Sequence, residues 1–88
     1  MVVRPYEEHS NTAGMVRIFN RNLDPEELVW HRDKKDRTVK VLNKSDWKIQ
    51  LDNEVPLDMK ENFTIFIPKE TYHRVIKGTT DLVVDIKE

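Results

Sequence analysis

The residues best suited to chemistry in this sequence are His31 and Asp33, in the stretch LVWHRDKKDR at positions 28–37. One of only three histidines in the chain follows an apolar run directly, and an aspartate lies two residues further on. An imidazole and a carboxylate at this spacing form either half of a metal site or a polar pair at the end of an ordinary strand. The chain has no cysteine, so a metal ion would need nitrogen and oxygen ligands.

The bulk composition argues against several functional classes. Fifteen basic and sixteen acidic side chains give a net charge of −1, which speaks against a large basic surface for nucleic acid. The first sixteen residues contain no long apolar core and carry two glutamates, so they predict neither a secretory signal nor a membrane span. We therefore expect a cytoplasmic protein without nucleic-acid or membrane partners. A chain of 88 residues predicts one small domain, which pairing into a homodimer would stabilise.

Apolar and polar residues alternate along most of the chain, and this alternation predicts β-strands. Many short strands separated by polar turns are typical of an all-β sandwich or barrel. The predicted strands lie at 15–20, 37–42, 46–52, 63–68, 72–76 and 81–88. They form a single domain over residues 15–88, preceded by a loose arm or irregular edge segment at 1–14. The core residues expected from the alternation are Val39, Val41, Ile49, Leu51, Phe63, Ile65, Ile67, Val75 and Val84.

The segment 23–33 is open to two interpretations. Asp24 followed by Pro25 is typical of a helix start, with the aspartate as the cap. If a helix continued to residue 33, His31 and Asp33 would lie about 200° apart around its axis and could not share a metal. If the helical turn is short and 28–33 is a strand, residues 29, 31 and 33 face one side. Val29 and Trp30 favour the strand, with residues 34–36 as a hairpin turn into the segment 37–42.

A second candidate site lies in NFTIFIPKETYHRVIKG, residues 62–78. Five residues separate Asn62 from Pro68, and two separate Glu70 from His73. This spacing resembles the second motif of the cupin superfamily, which reads glycine, five residues, Pro-x-Gly, two residues and a metal-binding histidine. Pro68 and His73 match in place, whereas Asn62 and Glu70 stand where the family usually has glycines.

The first cupin motif runs His-x-His, three or four residues, Glu, six residues, Gly. The same spacing in this chain falls on His31, Asp33, Arg37 and Lys44. Seventeen residues separate the two motifs, close to the shortest interval in the family, and the resemblance covers residues 25–78. Of the four usual ligand positions, two are histidine, one has become aspartate and one has become arginine.

The resemblance implies a small jelly-roll barrel, or double-stranded β-helix, that holds a divalent metal ion inside. The implied ligands are His31, Asp33 and His73. Two imidazoles and a carboxylate leave positions open for water or substrate and suit iron(II), manganese, cobalt, nickel or zinc. The implied function is binding of a small molecule, with dioxygenase or isomerase chemistry as the enzymatic possibility.

Arg37 is the departure with the largest consequence, because a guanidinium cannot bind a metal ion. It could pair with Asp33 or Asp36, or it could present two donors to an anionic ligand. Pairing with Asp33 could neutralise the carboxylate and leave a site without metal. Trp47 and Tyr72 are candidates for the wall of a ligand pocket, although large aromatic residues are also common in cores and dimer contacts.

Two alternatives to a metal enzyme stay open. The barrel could be a non-catalytic binding or regulatory module in which Arg37 and the two histidines hold an anionic ligand. It could also be a purely structural or dimerisation scaffold whose polar residues hydrogen-bond one another. The remaining histidine, His9, is expected to be exposed in the polar arm.

Overall fold

A computed structural model describes residues 5–11 and 14–88 of the protein. Within this part of the chain, eight strands form two antiparallel sheets, so the all-β class predicted from the period-two alternation is confirmed. The strands are β1 (Glu7–Asn11), β2 (Gly14–Phe19), β3 (Arg37–Val41), β4 (Lys48–Leu51), β5 (Leu57–Asp58), β6 (Thr64–Ile67), β7 (His73–Ile76) and β8 (Leu82–Lys87).

The strands are divided between two sheets. The larger sheet has the order β1-β2-β8-β3-β6, and the smaller has the order β5-β4-β7. From β3 onward the chain passes repeatedly between the sheets, with β4, β5 and β7 in one and β6 and β8 in the other. This crossing places the two sheets face to face, with the buried apolar residues between them. No helix in the described residues is long and apolar enough to cross a membrane.

The core follows the alternation along the strands. In β8, residues 82, 84 and 86 are buried while 83 and 85 are partly exposed. Among the predicted core residues, Phe63, Ile65 and Val75 are only partly buried and pack against the core, and the others are buried. The buried apolar residues are Phe19, Val39, Val41, Trp47, Ile49, Leu51, Met59, Ile67, Leu82, Val84 and Ile86.

The segment between β2 and β3 differs from the predicted strand. Asp24 caps a single 3₁₀ turn, Pro25–Glu27, and its carboxylate accepts a hydrogen bond from the Glu26 N–H at 3.0 Å, as the cap prediction requires. Residues 28–30 then form no strand, and His31 makes only an isolated bridge. The predicted strand over 28–33 and its hairpin into β3 are therefore wrong. Both edges of β3 are occupied by β6 and β8, so no edge remains for such a hairpin.

The predicted N-terminal arm contains an edge strand. Strand β1 pairs with β2 along its whole length, from Glu7 opposite Ile18 to Asn11 opposite Gly14. His9 lies on this strand with its side chain exposed, as expected, and its Nε2 is 3.1 Å from a carboxylate oxygen of Glu7. Residues 1–4 and 12–13 of the predicted arm lie outside the described part of the chain.

The turn before β8 depends on a glycine, and we expect Gly78→Ala to destabilise the protein. A Cβ at position 78 would lie 2.7 Å from the backbone carbonyl carbon of Asp46. Asp46 has little freedom to move away, because its carboxylate accepts hydrogen bonds from the Thr79 N–H at 2.8 Å and hydroxyl at 2.6 Å. Overpacking of this kind lowers the free energy of unfolding by about 1–3 kcal/mol.

Urea denaturation measures the effect of Gly78→Ala. The matched control is Lys77→Ala, an adjacent and partly exposed residue, which should change the free energy of unfolding by less than about 0.5 kcal/mol. If the Gly78→Ala protein were as stable as this control, the close approach of the two loops would not constrain the fold.

Candidate metal centre

The isolated bridge brings the two candidate histidines together. The N–H of His31 donates to the carbonyl of His73 at 3.0 Å, and the N–H of His73 donates to the carbonyl of His31 at 2.8 Å. Residues that exchange both hydrogen bonds across antiparallel strands project their side chains to the same face. The two rings lie with their centroids 4.3 Å apart. His73 also pairs with the buried Leu51 on β4 and is itself buried, whereas His31 is exposed and lines the same cavity.

Asp33, two residues after the bridge, reaches the same place. Its carbonyl accepts a hydrogen bond from the Glu70 N–H at 2.7 Å, which ties this segment to the loop before β7. Oδ2 of Asp33 lies 3.4 Å from Nε2 of His73. One potential ligand atom from each of His31, Asp33 and His73 falls within 4.8 Å of the other two. The structure thus brings together all three residues that the sequence singled out as ligands.

The backbone sets the tautomer of both imidazoles. Nδ1 of His73 is 2.8 Å from the carbonyl oxygen of Thr71, and Nδ1 of His31 is 3.1 Å from that of Val29. A carbonyl can only accept, so each Nδ1 carries a proton, and in the neutral form of either ring Nε2 then presents a lone pair. A hydrogen bond from the other ring nitrogen to a backbone carbonyl is the usual support of a metal-binding histidine.

The carboxylate of Asp33 contains an atom that lacks a partner. Oδ2 is buried and accepts no hydrogen bond from the described residues. When His73 is neutral, its Nε2 has no proton to donate, so its lone pair faces a lone pair of Oδ2 across 3.4 Å. A buried acceptor left in this state destabilises the fold by about 1–3 kcal/mol, and a cation between the two atoms would remove that penalty. The residues present therefore fit a divalent metal ion.

Burial keeps His73 neutral. Only 5% of the residue is exposed, and this burial lowers the pKa of its imidazole below 6.5. The carbonyl of Thr71 and the carboxylate of Asp33 favour the protonated form, while His31 and Arg37 disfavour it, and the pKa stays lowered. A neutral imidazole is the form that binds a metal ion.

We expect the metal-free protein to lose stability through His73 as the pH falls below 6.5. Because the pKa of His73 in the folded protein is lower than the ordinary value of 6.5, the unfolded chain then binds a proton that the folded protein does not. As the pH falls, the free energy of unfolding decreases until His73 is protonated in the folded protein as well. Thermal unfolding in EDTA across this range measures the loss. An equal dependence in His73→Gln would show that another group is responsible.

Arg37 contacts the far side of the same carboxylate. It lies at the start of β3 on the inward face that Val39 and Val41 continue. One of its η nitrogens is 3.5 Å from Oδ1 of Asp33, and its Nε donates to Oε2 of Glu88 at 3.0 Å. Of the two partners considered for Arg37, Asp33 is therefore in contact, whereas Asp36 accepts a hydrogen bond from the Lys69 N–H at 2.8 Å. The ion pair with Asp33 leaves Oδ2 facing the imidazoles.

The three candidate ligands and Arg37 line a cavity between the sheets. Its volume is about 390 Å³, within the range of small-molecule sites. Most of the remaining wall is apolar and comes from both sheets and the segment before the bridge. The apolar lining residues are Phe19, Leu28, Val29, Val39, Ile49, Met59, Val75, Leu82, Val84 and Ile86.

Two aromatic residues proposed for the pocket wall lie elsewhere. Trp47 is fully buried in the core, where its indole N–H donates to the Thr80 carbonyl at 2.6 Å. Tyr72 is 44% exposed, with the guanidinium of Arg32 5.3 Å from its ring centroid. Neither lines the cavity. Tyr72 immediately precedes the inward-facing His73, and adjacent strand residues face opposite sides.

Arg17 is a cavity residue that the sequence reasoning missed. Its Nε donates to a carboxylate oxygen of Glu8 at 2.7 Å, and its guanidinium lies 4.2 Å from the ring centroid of Tyr6. Both Arg17 and Tyr6 line the cavity. The alternation in β2 could have revealed Arg17, because it lies two positions before the buried Phe19 and so shares its face.

Comparisons with known proteins rest on structure alone. No protein-family model matches the chain, and no curated protein matches it. An RmlC-like cupin with a double-stranded β-helix fold from Methanocaldococcus jannaschii is similar, with a TM-score of 0.70 and 12% identity over 96% of this chain and 79% of that one.

Two further solved structures are also similar to this chain. A chain from the structures of the DMSP lyases RdDddP and RnDddQII has a TM-score of 0.71 and 19% identity over 82% of this chain. This chain spans only 35% of that one. Iron(II) HppE in complex with its substrate has a TM-score of 0.66 and 11% identity over 98% of this chain and 53% of that one.

These similarities agree with the architecture described above. Two antiparallel sheets face each other around an interior cavity. The candidate ligands from both motifs, His31, Asp33 and His73, line this cavity. At 11–19% identity the comparisons speak to the fold. The chain therefore has the fold of the cupin superfamily.

Proposed function

We propose that the protein binds a divalent metal ion through Nε2 of His31, Nε2 of His73 and Oδ2 of Asp33, and that it acts on a small molecule in the barrel cavity. The observation that carries this proposal is the buried Oδ2, which lacks a hydrogen-bond partner among the described residues and lies 3.4 Å from Nε2 of His73. A cation satisfies both atoms at once, whereas a structural role would favour a donor at this point.

The number of ligands favours a catalytic site over a structural one. Structural sites are usually closed by four protein ligands, whereas catalytic sites keep a position open. Here the fourth motif position is Arg37, which has donors only and cannot ligate. A bound ion would supply Lewis acidity or, in the case of iron(II), the redox chemistry of a dioxygenase. Iron(II) HppE is among the structurally similar proteins, which supports a metal enzyme.

The chain's own groups would prepare the substrate for that chemistry. Asp33 supplies the negative charge of the site, and the carbonyls of Val29 and Thr71 hold the two imidazoles in place through their Nδ1 protons. The apolar wall of the cavity excludes water from the bound molecule, which strengthens the electrostatic interactions within the site. Two nitrogens and one carboxylate oxygen suit iron(II), manganese, cobalt, nickel or zinc.

Metal analysis tests the proposal. The protein is purified without a chelating tag, stripped with EDTA, and titrated anaerobically with Fe²⁺, Mn²⁺ and Co²⁺. We expect one ion per chain and a rise in thermal stability, since a ligand at one hundred times its Kd stabilises the fold by about 2.7 kcal/mol. A stripped protein whose melting temperature does not respond to any of these ions would contradict the proposal.

A non-catalytic binding module is the second candidate. It is favoured by one observation, the guanidinium of Arg37 with both η nitrogens free of hydrogen bonds to the described residues. In this alternative, Arg37 and the two imidazoles hold an anion without metal. Anion binding that survives EDTA, in a protein that shows no metal response, would support the module over the enzyme.

A further inference from the structure

We infer that the cavity is a binding site for a small monocarboxylate with an apolar body, whose carboxylate pairs with Arg37 beside the metal ion. This inference rests on the proposed function and names its substrate class. It draws on three features of the described residues: unused donors on Arg37, the charges around it, and the apolar wall that continues from it.

The guanidinium of Arg37 is held in place, but only some of its hydrogen-bond donors are used. Its side chain is 15% exposed, and Nε is fixed by the hydrogen bond to Glu88. Neither η nitrogen donates a hydrogen bond to any residue in the described ranges, because the 3.5 Å approach to Oδ1 of Asp33 is longer than a normal N–H···O bond. A guanidinium held at Nε by Glu88, with one η nitrogen in a long ion pair with Asp33, keeps η N–H groups that can bind a carboxylate in a two-pronged manner.

The charges beside Arg37 select a monoanion. The guanidinium contributes +1, and its two contact partners, Asp33 and Glu88, contribute −1 each. A divalent ion at the three ligands brings the local sum to +1. The other charged residues that line the cavity, Arg17 and Glu27, carry opposite charges. One carboxylate would neutralise the sum beside Arg37, whereas a dianion would leave an excess negative charge there. Charge balance in a low-dielectric cavity therefore favours a single carboxylate.

The wall next to Arg37 is suited to an apolar body. Val39 is the next inward-facing residue on β3, roughly 7 Å further along the strand. Ile86 lies directly opposite Val39 on β8, and both residues are buried and line the cavity. A carboxylate bound at Arg37 thus places the rest of its molecule against aliphatic side chains, and burial of that body adds to the affinity.

Calorimetry on the Co²⁺-loaded protein tests the inference with four probes. Hexanoate carries one charge and an apolar chain; hexanamide keeps the chain without the charge, acetate keeps the charge without the chain, and adipate adds a second charge. We expect hexanoate to bind at least tenfold more tightly than each of the other three.

Two variants assign the effect to Arg37. We expect Arg37→Gln to weaken hexanoate binding by at least thirtyfold, and Arg37→Lys, which keeps the charge but loses the two-pronged geometry, to have an intermediate affinity. Arg21→Gln is the matched control, because Arg21 is an exposed arginine paired with Asp81 and does not line the cavity. It should leave hexanoate binding unchanged. A Co²⁺ titration of each variant should show no weakening of metal binding.

The outcomes separate this inference from the proposed function. If Co²⁺ binds at one ion per chain but hexanoate binds no better than hexanamide, the carboxylate site is wrong and the metal site stands. The same conclusion follows if Arg37→Gln and Arg37→Lys both keep full hexanoate affinity. If Co²⁺ fails to bind at all, the proposed function falls and the inference falls with it.

Discussion

Replacing Asp33 with asparagine should abolish metal binding and at the same time stabilise the metal-free protein. Asparagine keeps an oxygen to face Arg37, while its amide nitrogen takes the place of Oδ2. That nitrogen can donate a hydrogen bond to Nε2 of His73, which lies 3.4 Å from Oδ2. A buried lone pair without a partner is thus replaced by a hydrogen bond, which contributes about 1 kcal/mol.

The two effects of Asp33→Asn have opposite signs and are measured separately. In EDTA the melting temperature should rise by about 4–8 °C, the change that 1 kcal/mol produces in a domain of this size. Co²⁺ affinity, followed by visible absorption, should fall by at least about 100-fold, because loss of even a supporting group costs 10–100-fold.

Asp36→Asn is the matched control for this experiment. Asp36 is an exposed aspartate in the same loop whose carboxylate accepts a hydrogen bond from the Lys69 N–H, and it is not part of the candidate centre. Its replacement should leave Co²⁺ affinity unchanged. If Asp33→Asn instead lowered the melting temperature and kept the metal, Asp33 would be a structural residue.

Replacing His31 with alanine should remove metal binding without harming the fold. The His31 side chain is exposed, and the bridge to His73 uses only backbone atoms. The free energy of unfolding in EDTA should therefore change by no more than about 0.5 kcal/mol. Removal of one of three ligands should lower Co²⁺ affinity by at least about 100-fold, by the same comparison with supporting groups.

His9→Ala controls for unspecific binding of Co²⁺ to histidine. His9 is exposed on β1 and contacts Glu7 rather than the candidate centre. The His9→Ala protein should bind Co²⁺ as the unmodified protein does. Equal Co²⁺ affinity in His31→Ala and His9→Ala would mean that His31 is not a ligand.

Local patterns in the sequence predicted six of the eight strands in the described residues, all except β1 and β5, and most of the core. Alternation is a property of neighbouring residues, and it identified the inward faces of β3 and β8 because each strand is covered on one side only. The cap at Asp24 was equally local, since the aspartate accepts a hydrogen bond from the N–H of Glu26, two residues away. Spacing alone left two arrangements of His31 and Asp33 open, and the structure has the one in which both side chains reach the same site.

Tertiary structure decided how these pieces meet. The sequence predicted a strand over 28–33, but the neighbours of β3 left no edge for it, and a single bridge to His73 took its place. The alternation put Trp47 on an inward face, yet only the opposing sheet determined that this part of the face is core and not cavity wall.

The chemistry of the candidate centre divides in the same way. The residue types and their spacing came from the sequence alone, and so did the likeness to the cupin motifs. Arg37 pairs with Asp33, a contact that the sequence analysis considered, but also with Glu88, 51 residues away, and no local pattern indicates a contact of that kind. The unpaired state of Oδ2 likewise depends on which donors the fold brings near it. Sequence determined which groups are available, whereas only the packing of the two sheets decided which of their atoms remain free.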